Sequence, residues 1–91
     1  MNKKNKLIVA LDVPELVQAE KLVKMLSPTV EIFKVGKELF TAAGPEAVRM
    51  IHAHQAKVFL DLKFHDIPNT VGAAVEAAVK LGVFMLNVHC S

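Results

Sequence analysis

Short apolar segments alternate with amphipathic segments along the whole chain, and this alternation constrains the fold more than any other feature of the sequence. Segments rich in Val, Ile, Leu and Phe begin near residues 7, 30, 57 and 83, about 25 residues apart. Each of the first three is followed by apolar residues at helical spacing. Such alternation is typical of a parallel sheet with right-handed crossovers. The sequence therefore predicts an α/β fold.

Proline and glycine mark the boundaries of the predicted elements, because proline favours the first turn of a helix and cannot continue one. The four predicted strands cover residues 7–13, 30–35, 57–64 and 83–89. The first of three predicted helices begins after Pro14 and ends at Ser27-Pro28. The second begins at Gly44-Pro45, and the third begins at Pro68-Asn69-Thr70 and ends near Gly82.

Two architectures have this element order: an open doubly wound sheet and a (β/α)8 barrel. The glycine fingerprint of the doubly wound dinucleotide-binding folds is absent after the first strand, where the sequence reads Asp12-Val13-Pro14-Glu15. A complete barrel needs about 200 to 250 residues, whereas the chain has 91. We therefore expect residues 1–91 to form a partial barrel domain, the N-terminal half of a (β/α)8 TIM-type barrel with the C-terminal half absent.

Composition excludes several classes of function. Eleven basic and nine acidic residues give a net charge of +2, too small to indicate binding to nucleic acid or an anionic membrane. The single cysteine excludes an internal disulfide framework and a multi-cysteine zinc site, and it favours a reduced, cytoplasmic compartment. No apolar run approaches the roughly 20 residues of a membrane span.

Polar residues come late in each predicted strand and share one phase of the strand repeat. In a parallel barrel such residues collect at one mouth, where catalytic residues lie. The alternative is that they are strand-end residues that merely meet solvent. The polar residues concerned are Asp12, Lys34, Asp61, Lys63, Asn87 and His89.

The segment Asp61–Thr70 has the most specific chemistry. Asp61 and Lys63 lie two apart on a strand and share a face, and Asp66 follows on the loop. A lysine between two carboxylates stays protonated. It is therefore suited to stabilise a developing anion and then to donate a proton to it. The alternative is a structural ion-pair network at a barrel mouth.

This segment resembles the orotidine 5′-phosphate decarboxylase family. The resemblance extends from about residue 6 over nearly the whole chain, and the other matching blocks occur in the order and spacing typical of the family. They are Val9–Asp12, Lys34–Phe40, Gly44-Pro45 and Asn87–His89. The resemblance implies a (β/α)8 barrel, a homodimer without metal or organic cofactor, and conversion of orotidine 5′-phosphate to UMP and CO2 in pyrimidine biosynthesis.

The resemblance also implies roles for individual residues. Lys63 is expected to donate a proton to C6 of the pyrimidine. Asp61 is expected to lie beside the substrate carboxylate and to brace Lys63, and Asp66 to complete the charged array in the partner subunit's active site.

The substrate-binding residues implied by the resemblance come from two strands and the loop. Asp12 and Lys34 are expected to hold ribose hydroxyls. Thr70, and the backbone around Ile67, are expected to reach the ribose across the dimer interface. Cys90 departs from the family, which usually has alanine there.

Two alternatives stay open at this point. One is a Mg²⁺-dependent sugar-phosphate decarboxylase or aldolase of the same suprafamily, which shares the Asp-x-Lys-x-x-Asp spacing. The other is a half-barrel fragment that catalyses nothing, because the family's phosphate-binding arginine and closing loop lie beyond residue 91.

Overall fold

The computed structural model describes residues 5–63, 72–83 and 85–89. These residues form four strands and four helices, and at least one helix lies between each strand and the next. The strands are β1 (Asn5–Ala10), β2 (Val30–Val35), β3 (Lys57–Lys63) and β4 (Met85–His89). The helices are α1 (Leu16–Leu26), α2 (Lys37–Ala43), α3 (Glu46–Ala53) and α4 (Gly72–Leu81).

The four strands form one parallel sheet in the order β1-β2-β3-β4. In a doubly wound sheet the order of the strands reverses at a switch point, so that β1 lies in the interior of the sheet rather than at an edge. Here each strand lies beside its neighbour in sequence, which is the order of a (β/α)8 barrel. The prediction of a parallel α/β fold that begins a TIM-type barrel is confirmed.

The helices cover one face of the sheet, and the core lies between them. Phe33, Val35, Val58 and Leu60 on this face have no solvent exposure. The helices contribute further buried members of the same cluster, among them Ala19, Val23, Leu39, Ala47, Val48 and Ile51. Close packing of this apolar face against the helices supplies the main stabilisation of the fold.

The sequence pattern does not predict helix α2, so the described residues contain one helix more than the three expected. It has only seven residues, too few to show a helical repeat. The Phe40 N–H donates to the Gly36 carbonyl at its start, and the Gly44 N–H donates to the Phe40 carbonyl at its end. Gly44 adopts a φ of 62°, which favours glycine. Burial of Leu39 and Phe40 holds this short helix in place.

The boundaries of the other elements agree with the prediction to within a few residues. Strand β1 ends at Ala10 rather than at Val13, and the chain bends at Pro14 and Glu15 before α1 begins. Helix α4 ends at Leu81, and Gly82 follows with a φ of 93°. The predicted start of this helix at Pro68 lies outside the described residues. Within the described part of the chain, no helix combines the length and the hydropathy needed to cross a membrane.

Candidate active site

The register of the sheet aligns the predicted site residues on the face opposite the helices, called here the inner face. Ala10 pairs with Lys34, and Lys34 pairs with Phe59. One strand repeat later, towards the carboxyl ends of the strands, Asp61 pairs with Asn87. Paired positions in adjacent strands share a face of the sheet. The inner face therefore changes from apolar to polar towards the carboxyl ends of the strands.

Lys34 and Asp61 form an ion pair across β2 and β3. The distance between Lys34 Nζ and Asp61 Oδ2 is 3.9 Å. The two side chains are 33% and 24% exposed, so both retain part of their hydration. Since neither charge is fully desolvated, the pair avoids most of the penalty that a buried ion pair incurs. Sequence reasoning assigned both residues to the site but did not predict that they pair, although their shared phase on neighbouring strands was a signal for it.

The second carboxylate oxygen of Asp61 has a different environment. Oδ1 is buried, and it has no hydrogen-bond partner within the described part of the chain. Buried carboxylate oxygens are almost always hydrogen-bonded, because leaving one unpaired costs much of its solvation free energy. Asp61 therefore offers a vacant acceptor position on the inner face.

Asp12 lies two residues after the end of β1. It is therefore at the carboxyl ends of the strands, as Asp61 is. The Leu11 N–H donates to the Lys34 carbonyl over 3.0 Å, which holds the chain against β2 up to the residue before Asp12. The Asp12 side chain is exposed. Among the described residues, no hydrogen bond or ion pair joins Asp12 to Lys34 or Asp61. The Asp12 carboxylate is therefore accessible to a ligand at the carboxyl end of β1.

Lys63 is the last residue of β3, where its backbone pairs with that of His89. It lies one strand repeat beyond Asp61, as the sequence predicts for residues on one face. The other predicted site residues, Asp66, Ile67 and Thr70, lie outside the described residues, as does Cys90. The structure thus brings Lys34 and Asp61 together across β2 and β3, and it places Lys63 two residues after Asp61 on β3.

Two further polar contacts lie away from the carboxyl ends of the strands. His54 Nε2 and Glu20 Oε2 are 3.3 Å apart and join α3 to α1. Lys57 Nζ lies 3.2 Å from Glu31 Oε2 near the amino ends of β3 and β2. No group of three or more His, Cys, Asp or Glu side chains that could hold a metal ion occurs in the part of the chain that the structure describes.

Comparison with known families identifies the chain. The family described as "Orotidine 5'-phosphate decarboxylase / HUMPS family" matches residues 5–91. The chain belongs to this family. The predicted resemblance is thereby confirmed over all four strands, including the segment from Asp61 to Thr70.

Individual relatives agree with the family match. A protein of Moorella thermoacetica named orotidine 5'-phosphate decarboxylase is 63% identical over 91 residues, which are 100% of this chain and 36% of the relative. A protein of the same name from Halorhodospira halophila is 57% identical over 84 residues, 92% of this chain and 36% of the relative. The chain therefore spans about 36% of the length of these relatives.

Solved structures show the same fold. The crystal structure of orotidine 5'-phosphate decarboxylase from Pyrococcus horikoshii has a TM-score of 0.70 and 29% identity, covering 91% of this chain and 41% of the chain in that structure. An uncharacterized conserved protein from Geobacillus kaustophilus also has a TM-score of 0.70, with 41% identity over 90% of this chain.

Proposed function

We propose that the protein containing this chain is an orotidine 5′-phosphate decarboxylase that forms UMP and CO2. The observation that carries the proposal is the charged group at the carboxyl ends of β2 and β3. Lys34 and Asp61 pair across the strands, and Lys63 follows Asp61 on the same strand. Family membership and the names of the relatives support the same activity.

The chemistry requires stabilisation of negative charge on a carbon atom. Cleavage of the bond between C6 and the carboxylate releases CO2 and leaves the electron pair on C6. A protonated Lys63 stabilises this carbanion and donates a proton to C6, which gives UMP and a neutral amine that water reprotonates. A preorganised ammonium group acts more strongly on the developing charge than on the substrate, as catalysis requires.

Asp61, Lys34 and Asp12 are assigned to positioning and binding. Asp61 keeps the Lys63 ammonium charged and close to C6. Lys34, held near Asp61 by the 3.9 Å ion pair, binds a ribose hydroxyl. The exposed carboxylate of Asp12 accepts a hydrogen bond from a second hydroxyl.

The active enzyme is proposed to be a homodimer in which Asp66, Thr70 and the backbone around Ile67 act in the partner subunit's site. A mixture of two variants of the complete enzyme, one with Lys63→Ala and the other with Asp66→Asn, tests this arrangement. Random exchange of subunits places one intact site in each mixed dimer and restores about a quarter of wild-type activity. Mixed dimers that are demonstrably formed and no more active than either parent rule out action across the interface.

The activity itself is tested in a chimera, called here the full-length form, in which these 91 residues replace the matching part of the Moorella thermoacetica relative. We expect orotidine 5′-phosphate to be consumed in an ultraviolet absorbance assay, with UMP and CO2 released in equal amounts. The relative itself is the positive control. A folded full-length form that leaves the substrate intact refutes the proposal.

A second candidate is a Mg²⁺-dependent sugar-phosphate enzyme, because the matching family covers more than one activity. Turnover of orotidine 5′-phosphate that is unchanged by EDTA supports the decarboxylase. Turnover of a sugar phosphate instead, abolished by EDTA and restored by Mg²⁺, supports the alternative. The relatives named above favour the decarboxylase.

The isolated 91-residue chain is proposed to be catalytically silent and to self-associate. In the described part of the chain β1 and β4 are the edges of the sheet, and Ile8 on the inner face is 42% exposed. Unpaired edges and open apolar faces promote association. Sedimentation at micromolar concentration and the same absorbance assay test both parts, and a monomer that turns over substrate contradicts both. A cytoplasmic location is part of the same proposal and rests on the single cysteine.

A further inference from the structure

The ion pair between Lys34 and Asp61 runs diagonally across the sheet. The register pairs Lys34 with Phe59, and Asp61 lies two residues further along β3. Adjacent strands are about 4.8 Å apart and two residues span about 6.6 Å along a strand, so such diagonal positions are separated by about 8 Å. Lys34 Nζ nevertheless lies 3.9 Å from Asp61 Oδ2. The methylene stem of Lys34 therefore extends from β2 towards the carboxyl end of β3, beside the position of Phe59.

The two neighbours of Lys34 in the register differ in size. On the β1 side Lys34 pairs with Ala10, and on the β3 side it pairs with Phe59. All three positions share the inner face. The Ala10 methyl group offers little surface, whereas a phenylalanine ring offers a broad apolar face. Lysine stems lie along apolar surface while the ammonium group stays in contact with water, and the 33% exposure of the Lys34 side chain fits this arrangement.

We propose that Phe59 is a positioning residue whose ring supports the stem of Lys34 and so holds its ammonium group beside Asp61. A lysine side chain has many rotamers, and restricting them before a ligand binds reduces the entropy lost on binding. With the ring in place, Lys34 is already directed to the carboxyl ends of the strands, where the ribose hydroxyl is proposed to bind. The inference rests on the proposed function for its kinetic consequence, whereas the packing of Phe59 against Lys34 stands independently of activity.

The kinetic test uses the full-length form with Phe59→Ala, which removes the ring. We expect KM to rise about three- to tenfold and kcat to stay within about twofold of wild type, because ground-state binding by Lys34 weakens while the chemistry at Lys63 is unchanged. Phe59→Val suits a strand but is too short to cover the stem. It is the second variant in case Phe59→Ala does not fold, and the same change is expected.

The matched control is Val58→Ala, the preceding residue of β3 on the helix-covered face. Val58 has no solvent exposure, so its truncation lowers stability through a cavity in the core. It does not face Lys34, and KM should stay within about twofold of wild type.

A double-mutant cycle assigns the effect to Lys34. In a Lys34→Ala background there is no stem for the ring to support, so Phe59→Ala should change KM by less than about twofold. A phenylalanine that only stabilised the strand would raise KM equally in both backgrounds.

The structural test is nuclear magnetic resonance of the full-length form labelled with ¹³C-lysine. Protons that lie over an aromatic ring are shifted upfield by its ring current. The side-chain methylene signals of Lys34 are identified by their absence in Lys34→Ala. We expect these signals to lie upfield of those of the other lysines, and to move to the ordinary lysine positions in Phe59→Leu, since leucine has no ring.

The outcomes distinguish the two proposals. A wild-type full-length form without decarboxylase activity refutes the proposed function, but the Lys34 signals still test the packing. The positioning role is overturned if Phe59→Ala, or Phe59→Val in its place, keeps KM within about twofold of wild type or lowers kcat instead. It is also overturned if Phe59→Ala raises KM equally with and without Lys34, or if the Lys34 signals do not move in Phe59→Leu.

Discussion

The two faces of the sheet differ in burial although they belong to the same strands. On β3, Val58, Leu60 and Leu62 face the helices and are at most 1% exposed. Phe59 and Asp61 alternate with them on the inner face and are partly exposed. The helix-covered face therefore holds the elements together, while the inner face carries the charges. One strand can serve both purposes because its side chains alternate with a period of two.

The difference also explains where charge is tolerated. Lys34 and Asp61 stay a third and a quarter exposed, so their pairing costs little desolvation. The same pair on the helix-covered face would displace residues such as Phe33 and Leu60 from a dry core. Charged residues on the inner face, at the carboxyl ends of the strands, are thus compatible with a stable sheet, as in other barrels of this architecture.

The largest expected effect is on the inner face. In the full-length form, Lys63→Ala should lower kcat by about 10³-fold or more, because electrostatic stabilisation and proton donation are lost together. Lys57→Ala, on the same strand and at its opposite end, is the matched control and should retain activity. A Lys63→Ala protein that keeps a tenth of wild-type kcat contradicts the assignment.

A pair of substitutions compares the two faces directly. In the isolated chain, Leu60→Ala on the helix-covered face should reduce the free energy of unfolding by about 2–5 kcal/mol, since it opens a cavity in a closed core. Ile8→Ala on the inner face should cost about 1 kcal/mol or less, because Ile8 is 42% exposed. Urea unfolding followed by circular dichroism measures both, at a protein concentration low enough that sedimentation shows only the monomer. Equal losses of unfolding free energy in Leu60→Ala and Ile8→Ala would mean that the inner face is buried as completely as the core.

A smaller effect is expected for substrate binding. Lys34→Ala in the full-length form should lower kcat/KM about 10- to 100-fold through loss of a charged hydrogen bond to the ribose. Lys37→Ala removes the same charge from an exposed position on α2 and should leave kcat/KM within about twofold. If Lys34→Ala and Lys37→Ala lower kcat/KM to the same extent, the assignment of Lys34 to substrate binding is wrong.

The smallest effect is expected away from both faces. Glu20→Ala removes the carboxylate whose Oε2 lies 3.3 Å from His54 Nε2, between α1 and α3. Because Glu20 is 48% exposed, the free energy of unfolding should fall by less than about 1 kcal/mol. Activity of the full-length form should not change. A larger loss of stability would show that this contact fastens α1 to α3 more firmly than its exposure indicates.

Most of the fold could be predicted because its elements are long and strongly patterned. The strands β2 and β3 combine apolar residues with turn signals on both sides, and their predicted bounds are nearly those observed. Helix α2 could not be predicted, since seven residues show no clear period and tertiary contacts of Leu39 and Phe40 stabilise it. Asp61 and Lys63 could be assigned to one face because strand periodicity needs no tertiary information.

Local spacing and residue type are enough to establish the alternation of strands and helices, the family, and which polar residues share a phase on each strand. Which residues are neighbours across strands is set by the three-dimensional packing alone. The register pairs Lys34 with Phe59 and Asp61 with Asn87, and it brings Lys34 Nζ to 3.9 Å from Asp61 Oδ2. Register depends on how the helices pack each strand against the next, and no single segment of the chain contains that information.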